Sequence, residues 1–200
     1  MKIISVVFHP LLIATHLTAL ILFVAPELLP RIQPQVFTDF LFLIFLVTGF
    51  LPAFSVFLLR KFKYISDLEL SKRGERLIPF IFILFYYAVA CYLFYEKLAM
   101  GSFFNLVMIS VTILIFILIV VTLRFKISIH SAAAWGGVGY VTAILVTNPI
   151  EAQWMYFFIV VMAGLTSTSR LYLGYHTPKQ IWAGVLLGFI YCLAVVLSFS

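Results

Sequence analysis

Seven long apolar runs, at about residues 3–25, 37–59, 78–95, 103–123, 131–147, 153–168 and 181–199, constrain this chain more than any other feature. A 200-residue globule cannot bury them all, because its own core fills first. The chain is 64% hydrophobic with a mean hydropathy of +1.19, against roughly 45–50% apolar residues in a soluble domain. Lipid is the alternative solvent, and a span through it needs about 20 apolar residues. The pattern therefore predicts an all-α, polytopic transmembrane helical bundle of about seven spans, read as a single integral membrane domain over 1–200.

The first run is too long for the roughly 7–15-residue core of a signal peptide, and no small-x-small site closes it. It is expected to remain as a membrane helix. Cys91 and Cys192 lie deep in apolar runs and read as small buried hydrophobes. The Ala- and Gly-rich fifth run, "HSAAAWGGVGYV", and the GxxxG of Gly184 and Gly188 predict close helix–helix packing.

Seven spans place the termini on opposite sides. The side holding Met1 carries Lys2, Arg60, Lys61, Lys63, Lys72, Arg73, Arg76, Arg124, Lys126, Arg170 and Lys179, which is 11 of the 13 basic residues. Arg31 and Lys97 lie opposite. Removing Lys72, Arg73, Arg76, Lys126 and Arg170, as cations that can serve a site, leaves six against two. The excess of positive charge predicts that this side, with the N-terminus, is cytoplasmic.

Three polar clusters emerge on that same side: "SKRGERLIP" (71–79), "KISIHS" (126–131) and "SRLYLGYHTPKQ" (169–180). Each directly precedes an apolar run and so sits at a helix N-terminus, where unpaired N–H groups and a partial positive charge attract anions. With Arg73, Arg76 and Arg170 alongside, the natural occupant is phosphate. Thr177-Pro178-Lys179-Gln180 fits a capping box opening the last span, T-x-x-Q with Pro at the first helical position. Gln180 is read equally as a helix cap and as a residue that orients His176. Arg60, Lys61 and Lys63 read as topology determinants, and His9 and His16 as structural residues on one face of the first helix. His130 and His176 differ, because each shares its cluster with a Ser and lies near an Arg.

In these residues the chain resembles the type 2 phosphatidic acid phosphatase family, which includes haloperoxidase relatives. That family carries the motifs K-x6-R-P, P-S-G-H and S-R-x5-H-x3-D. Ser169-Arg170, five residues, His176, three residues and Gln180 match the third motif except at its last position. Ile127-Ser128-Ile129-His130 keeps the Ser and His of the second. Lys72, Arg76 and Pro79 approximate the first, although the residue seven before Arg76 is Glu69, so Arg73 or Lys72 stands in for the family Lys. The resemblance spans about residues 67–190.

It implies a metal-free, cofactor-free phosphatase on a membrane lipid with a phosphate headgroup, of phosphatidate or isoprenyl diphosphate type; a six-helix core is compatible with it. His176 is the implied nucleophile, forming a phosphohistidine, and His130 the implied acid and base. Gln180 takes the place of the family's orienting Asp. Arg170, Arg76, Arg73, Lys72, Ser128 and Ser169 are the implied phosphate-binding residues. A relative that binds or moves phospholipids without turnover is the alternative. No nucleic-acid partner is expected, and oligomeric state is left open.

Overall fold

The computed structural model describes residues 1–70, 72–148 and 153–199. The first position of the 71–79 cluster lies outside the described residues. Among the described residues the fold is all-α. Its helices are α1 (Lys2–Val7), α2 (Pro10–Val24), α3 (Pro34–Lys61), α4 (Arg73–Lys97), α5 (Ser102–Thr122), α6 (Ile129–Thr147), α7 (Gln153–Tyr172) and α8 (Pro178–Leu197). From α3 onward all six are long and apolar enough to cross a membrane. The chain is a multi-pass integral membrane protein.

The first apolar run departs from the expected single helix. It breaks at Phe8–His9, because Pro10 offers no N–H and disfavours a helical residue before it. The His9 ring closes the break, its Nδ1 accepting the Leu11 N–H at 3.3 Å. The 15 residues of α2 then rise about 22 Å, short of the roughly 30 Å hydrocarbon layer. His9 and His16 therefore do not share one continuous helix.

Two compact units make up the chain, one of residues 1–13 with those from 125 onward, the other of residues 14–124. In the second unit, α3 widens into a π-helical segment over Phe45–Phe50, just ahead of Pro52. A proline removes one helical bond and crowds the preceding turn, and the wider turn relieves that crowding. Phe40, Phe94 and Phe104 meet there with ring centroids 5.2–6.0 Å apart. Side-chain hydrogen bonds join neighbouring helices, Ser55 to Tyr86 at 2.8 Å and Cys91 to Thr112 at 3.1 Å.

The first unit is built on α6, the most deeply buried of the six long helices. α8 runs parallel to it. A Cβ at Gly184 would collide with the Ser128 carbonyl, one at Gly188 with the Ala132 carbonyl, and one at Gly139 with the Phe189 carbonyl. The GxxxG packing is thus confirmed, with α6 as its partner. α7 packs antiparallel on α6 through Ala134, Val138 and Ala163, edged by Trp135 and Ile159. This arrangement starts α6 and α8 side by side and ends α7 at the same level.

Candidate active site

The five-residue gap between Arg170 and His176 is the length of a helix stop and restart. α7 ends in a Schellman turn, in which Tyr175 N donates to the Arg170 carbonyl (3.2 Å) and Gly174 N to the Leu171 carbonyl (3.0 Å). Gly174 holds φ at 69°, the left-handed conformation that the turn needs and that glycine alone adopts without cost. Three residues later Thr177 opens α8 with Pro178 in its first turn. Arg170 and His176 therefore sit on either side of one helical corner.

Gln180 makes contacts of both foreseen kinds. Its Oε1 accepts the Thr177 backbone N–H at 3.2 Å, and Thr177 and Gln180 complete a capping box. The same Oε1 lies 3.1 Å from His176 Nδ1. A backbone N–H can only donate, so it fixes which end of the amide faces the corner. An amide oxygen can only accept, so Nδ1 is the donor of this contact, and in the neutral ring that leaves the lone pair on Nε2. His176 itself is 7% exposed.

Among the described residues Arg170 is the largest fully buried side chain, at 2% exposure. Its Nη1 donates to Ser5 Oγ at 2.7 Å, and its Cζ lies 4.3 Å from the centre of the Tyr175 ring. A buried cation needs such partners, since burial without them is costly. Ser169 is fully buried and donates its hydroxyl to the Thr166 carbonyl at 2.7 Å.

Ser128 caps α6, its Oγ accepting the Ser131 N–H at 3.4 Å, and its own N–H reaches the Gln180 carbonyl at 3.1 Å. That bond ties the second cluster to the third. Behind it runs a polar chain: Ser128 Oγ to Ser131 Oγ (3.0 Å), Ser131 to Ser167 (3.2 Å) and Ser167 to Trp135 Nε1 (3.2 Å). His130, in the first turn of α6, is buried, and the His9 ring meets it edge-on at 5.0 Å.

The structure thus brings Ser128, His130, Ser169, Arg170, His176 and Gln180 into one unit, at the starts of α6 and α8 and the end of α7. Arg76, Arg73 and Lys72 belong to the other unit. Arg76 is buried there, and its Nε donates to the Leu70 carbonyl at 2.9 Å. Leu70 holds φ at 51°, a conformation costing a non-glycine residue about 1–2 kcal/mol. Arg73 Nη1 reaches the Arg124 carbonyl at 2.7 Å, and the exposed Lys72 pairs with Glu75 at 3.2 Å. Glu75 also takes the Ser66 N–H and hydroxyl at 2.6 and 2.7 Å. Among the described residues, no three His, Cys, Asp or Glu side chains form a metal-ligand set.

Sequence reasoning gave no role to Ser5, Ser131, Ser167 or Tyr175, which the structure sets against these residues, and His9, read as structural, touches His130. Tyr175 had a local signal in its position beside His176. Ser5 and His9 had none, because their partners lie far along the chain.

This fold and site define a multi-pass membrane protein with a buried arginine at the end of α7 and a buried histidine at the start of each of α6 and α8. The sequence profile of the PAP2 superfamily matches residues 40–200, and the chain belongs to that family. Its members are generally phosphatases of phosphate esters. Neither the curated proteins nor the solved structures returned a match.

Proposed function

We propose that this protein is a membrane-embedded lipid phosphatase, cleaving a phosphate monoester or diphosphate of phosphatidate or isoprenyl type through a phosphohistidine. The observation that carries the reading is the contact of Gln180 Oε1 with His176 Nδ1, which leaves the Nε2 lone pair as the nucleophile. Nε2 attacks phosphorus in line, the P–O bond to the lipid breaks, and His130 gives its proton to the departing oxygen. Water then attacks the phosphohistidine while His130 takes a proton from it, returning both histidines to their starting states. Acid–base help of this kind contributes roughly 10²–10⁴ in rate.

Arg170 and the adjoining N-termini of α6 and α8 hold the phosphoryl oxygens as charge develops. Ser128 and Ser169 line the phosphate region. The basic residues preceding α4, α6 and α8 support a cytoplasmic site face and N-terminus, with the C-terminus opposite. A charged headgroup can meet the site at the interface while its acyl or prenyl tail stays in lipid.

One observation favours a second reading. Gln180 supplies a hydrogen bond but no charge to balance a phosphorylated or protonated ring, and this favours a phospholipid-binding relative with little turnover. Phosphate release by the purified protein, with His176→Ala as control, separates the two.

A further inference from the structure

α1 shows an inverted burial pattern. Ile3 is 78% exposed and Val6 65%, whereas the one buried residue of this helix is the polar Ser5, at 5%. In water that arrangement would be destabilising. For a helix in lipid it is the expected one, provided that the inward polar group has a polar partner. Ser5 has one: its Oγ accepts from Arg170 Nη1 at 2.7 Å, across 165 residues of sequence. Four residues on, His9 lays its ring edge-on against His130. Two contacts of the N-terminal segment thus fall on Arg170 and His130, which the reading above makes the phosphate clamp and the acid–base group. The segment lies wholly outside residues 40–200, so family membership says nothing of it.

We propose that residues 1–13 form an arm of the active site, with Ser5 as a positioning residue for Arg170. The inference rests on the reading of Arg170 as the phosphate clamp. A guanidinium has five N–H donors in a rigid plane, so fixing one of them fixes the aim of the others. The Tyr175 ring holds the flat face, and Ser5 holds one edge. Together they stop the side chain from rotating away from the corner that it shares with His176. Preorganisation of this kind acts on an anion already when it binds, not only in the transition state.

Thr and Val have the same shape and differ by one hydroxyl, so Ser5→Thr and Ser5→Val isolate the hydrogen bond from packing. The probe is inorganic phosphate, titrated against the full-length protein in detergent and followed by ³¹P NMR; kcat and KM for a lipid phosphate are measured in parallel. Ser5→Val and Ser5→Ala are expected to weaken phosphate binding on the order of ten-fold, as loss of a hydrogen bond to a charged group does. Ser5→Thr is expected to recover most of that affinity. Equal phosphate affinity in Ser5→Val and Ser5→Thr overturns the inference, as does a wild-type protein that binds no phosphate. Ser5-dependent binding without hydrolysis of any ester leaves the inference standing and sinks the hydrolytic reading. Hydrolysis that requires His176 but ignores Ser5 does the reverse.

Discussion

Gln180 Oε1 stands within hydrogen-bond reach of two donors, the Thr177 N–H and the His176 ring. That sharing decides what the amide can and cannot do. In serine proteases, replacing the orienting Asp by Asn costs about 10⁴ in turnover, because the imidazole adopts the wrong tautomer. In the reaction proposed above the Gln180 oxygen favours the same tautomer as an Asp would, so the missing charge is what distinguishes the two. Gln180→Glu keeps the shape and remains a capping-box residue. It is expected to raise turnover about ten-fold or more, well short of the serine-protease factor. Gln180→Leu removes both bonds and is expected to lower turnover and destabilise the helix start by about 1 kcal/mol. Steady-state hydrolysis with thermal unfolding checks both; a Glu variant no faster than wild type would show that charge does not limit the reaction. The pair was legible in the sequence as S-R-x5-H-x3-Q. Its double hydrogen bond was not, because spacing gives neighbours and not the direction in which an amide points.

At the scale of helices, the parallel contact of α6 and α8 sets the site. Ser128, His130 and the capping box can meet only if the two helix starts come within backbone distance. Gly184 and Gly188 permit that, since a Cβ at either would strike the backbone of α6. Gly188→Ala is therefore expected to cost about 1–3 kcal/mol and to reduce activity with it. Gly164, in α7, has nothing within 4 Å of its Cβ position. Gly164→Ala should leave stability unchanged or raise it by up to about 1 kcal/mol, because glycine is the poorer helix former. Thermal melting of the two variants side by side tests the packing; equal effects would refute it. GxxxG and the Ala-Gly run told that close packing occurs, and the structure told between which helices. The first apolar run was misjudged for a physical reason: hydropathy sums over a window and does not register that Pro10 interrupts the backbone hydrogen-bond ladder.

The whole molecule joins a membrane fold, which composition made plain, to a site whose parts come from distant stretches of chain. Ser5 and His9 escaped the sequence because nothing local distinguishes a serine aimed at Arg170 from one facing lipid. The three clusters were legible because each combines charge with an apolar run that follows it. Their basic residues carry the orientation prediction. A cysteine placed at the exposed Tyr64, with Cys91 and Cys192 inside membrane helices, is expected to resist an impermeant thiol reagent in intact cells and to label after lysis. Labelling of intact cells would reverse the orientation.

The central claim is that His176 is a nucleophile toward a lipid phosphate. Its most direct test is phosphate release by the purified full-length protein, with chelator present, from phosphatidate, phosphatidylglycerol phosphate and an isoprenyl diphosphate. Release from at least one of these, falling on the order of 10³-fold or more in His176→Ala, is the predicted result. Release that survives His176→Ala, or none from any of the three, would contradict the claim.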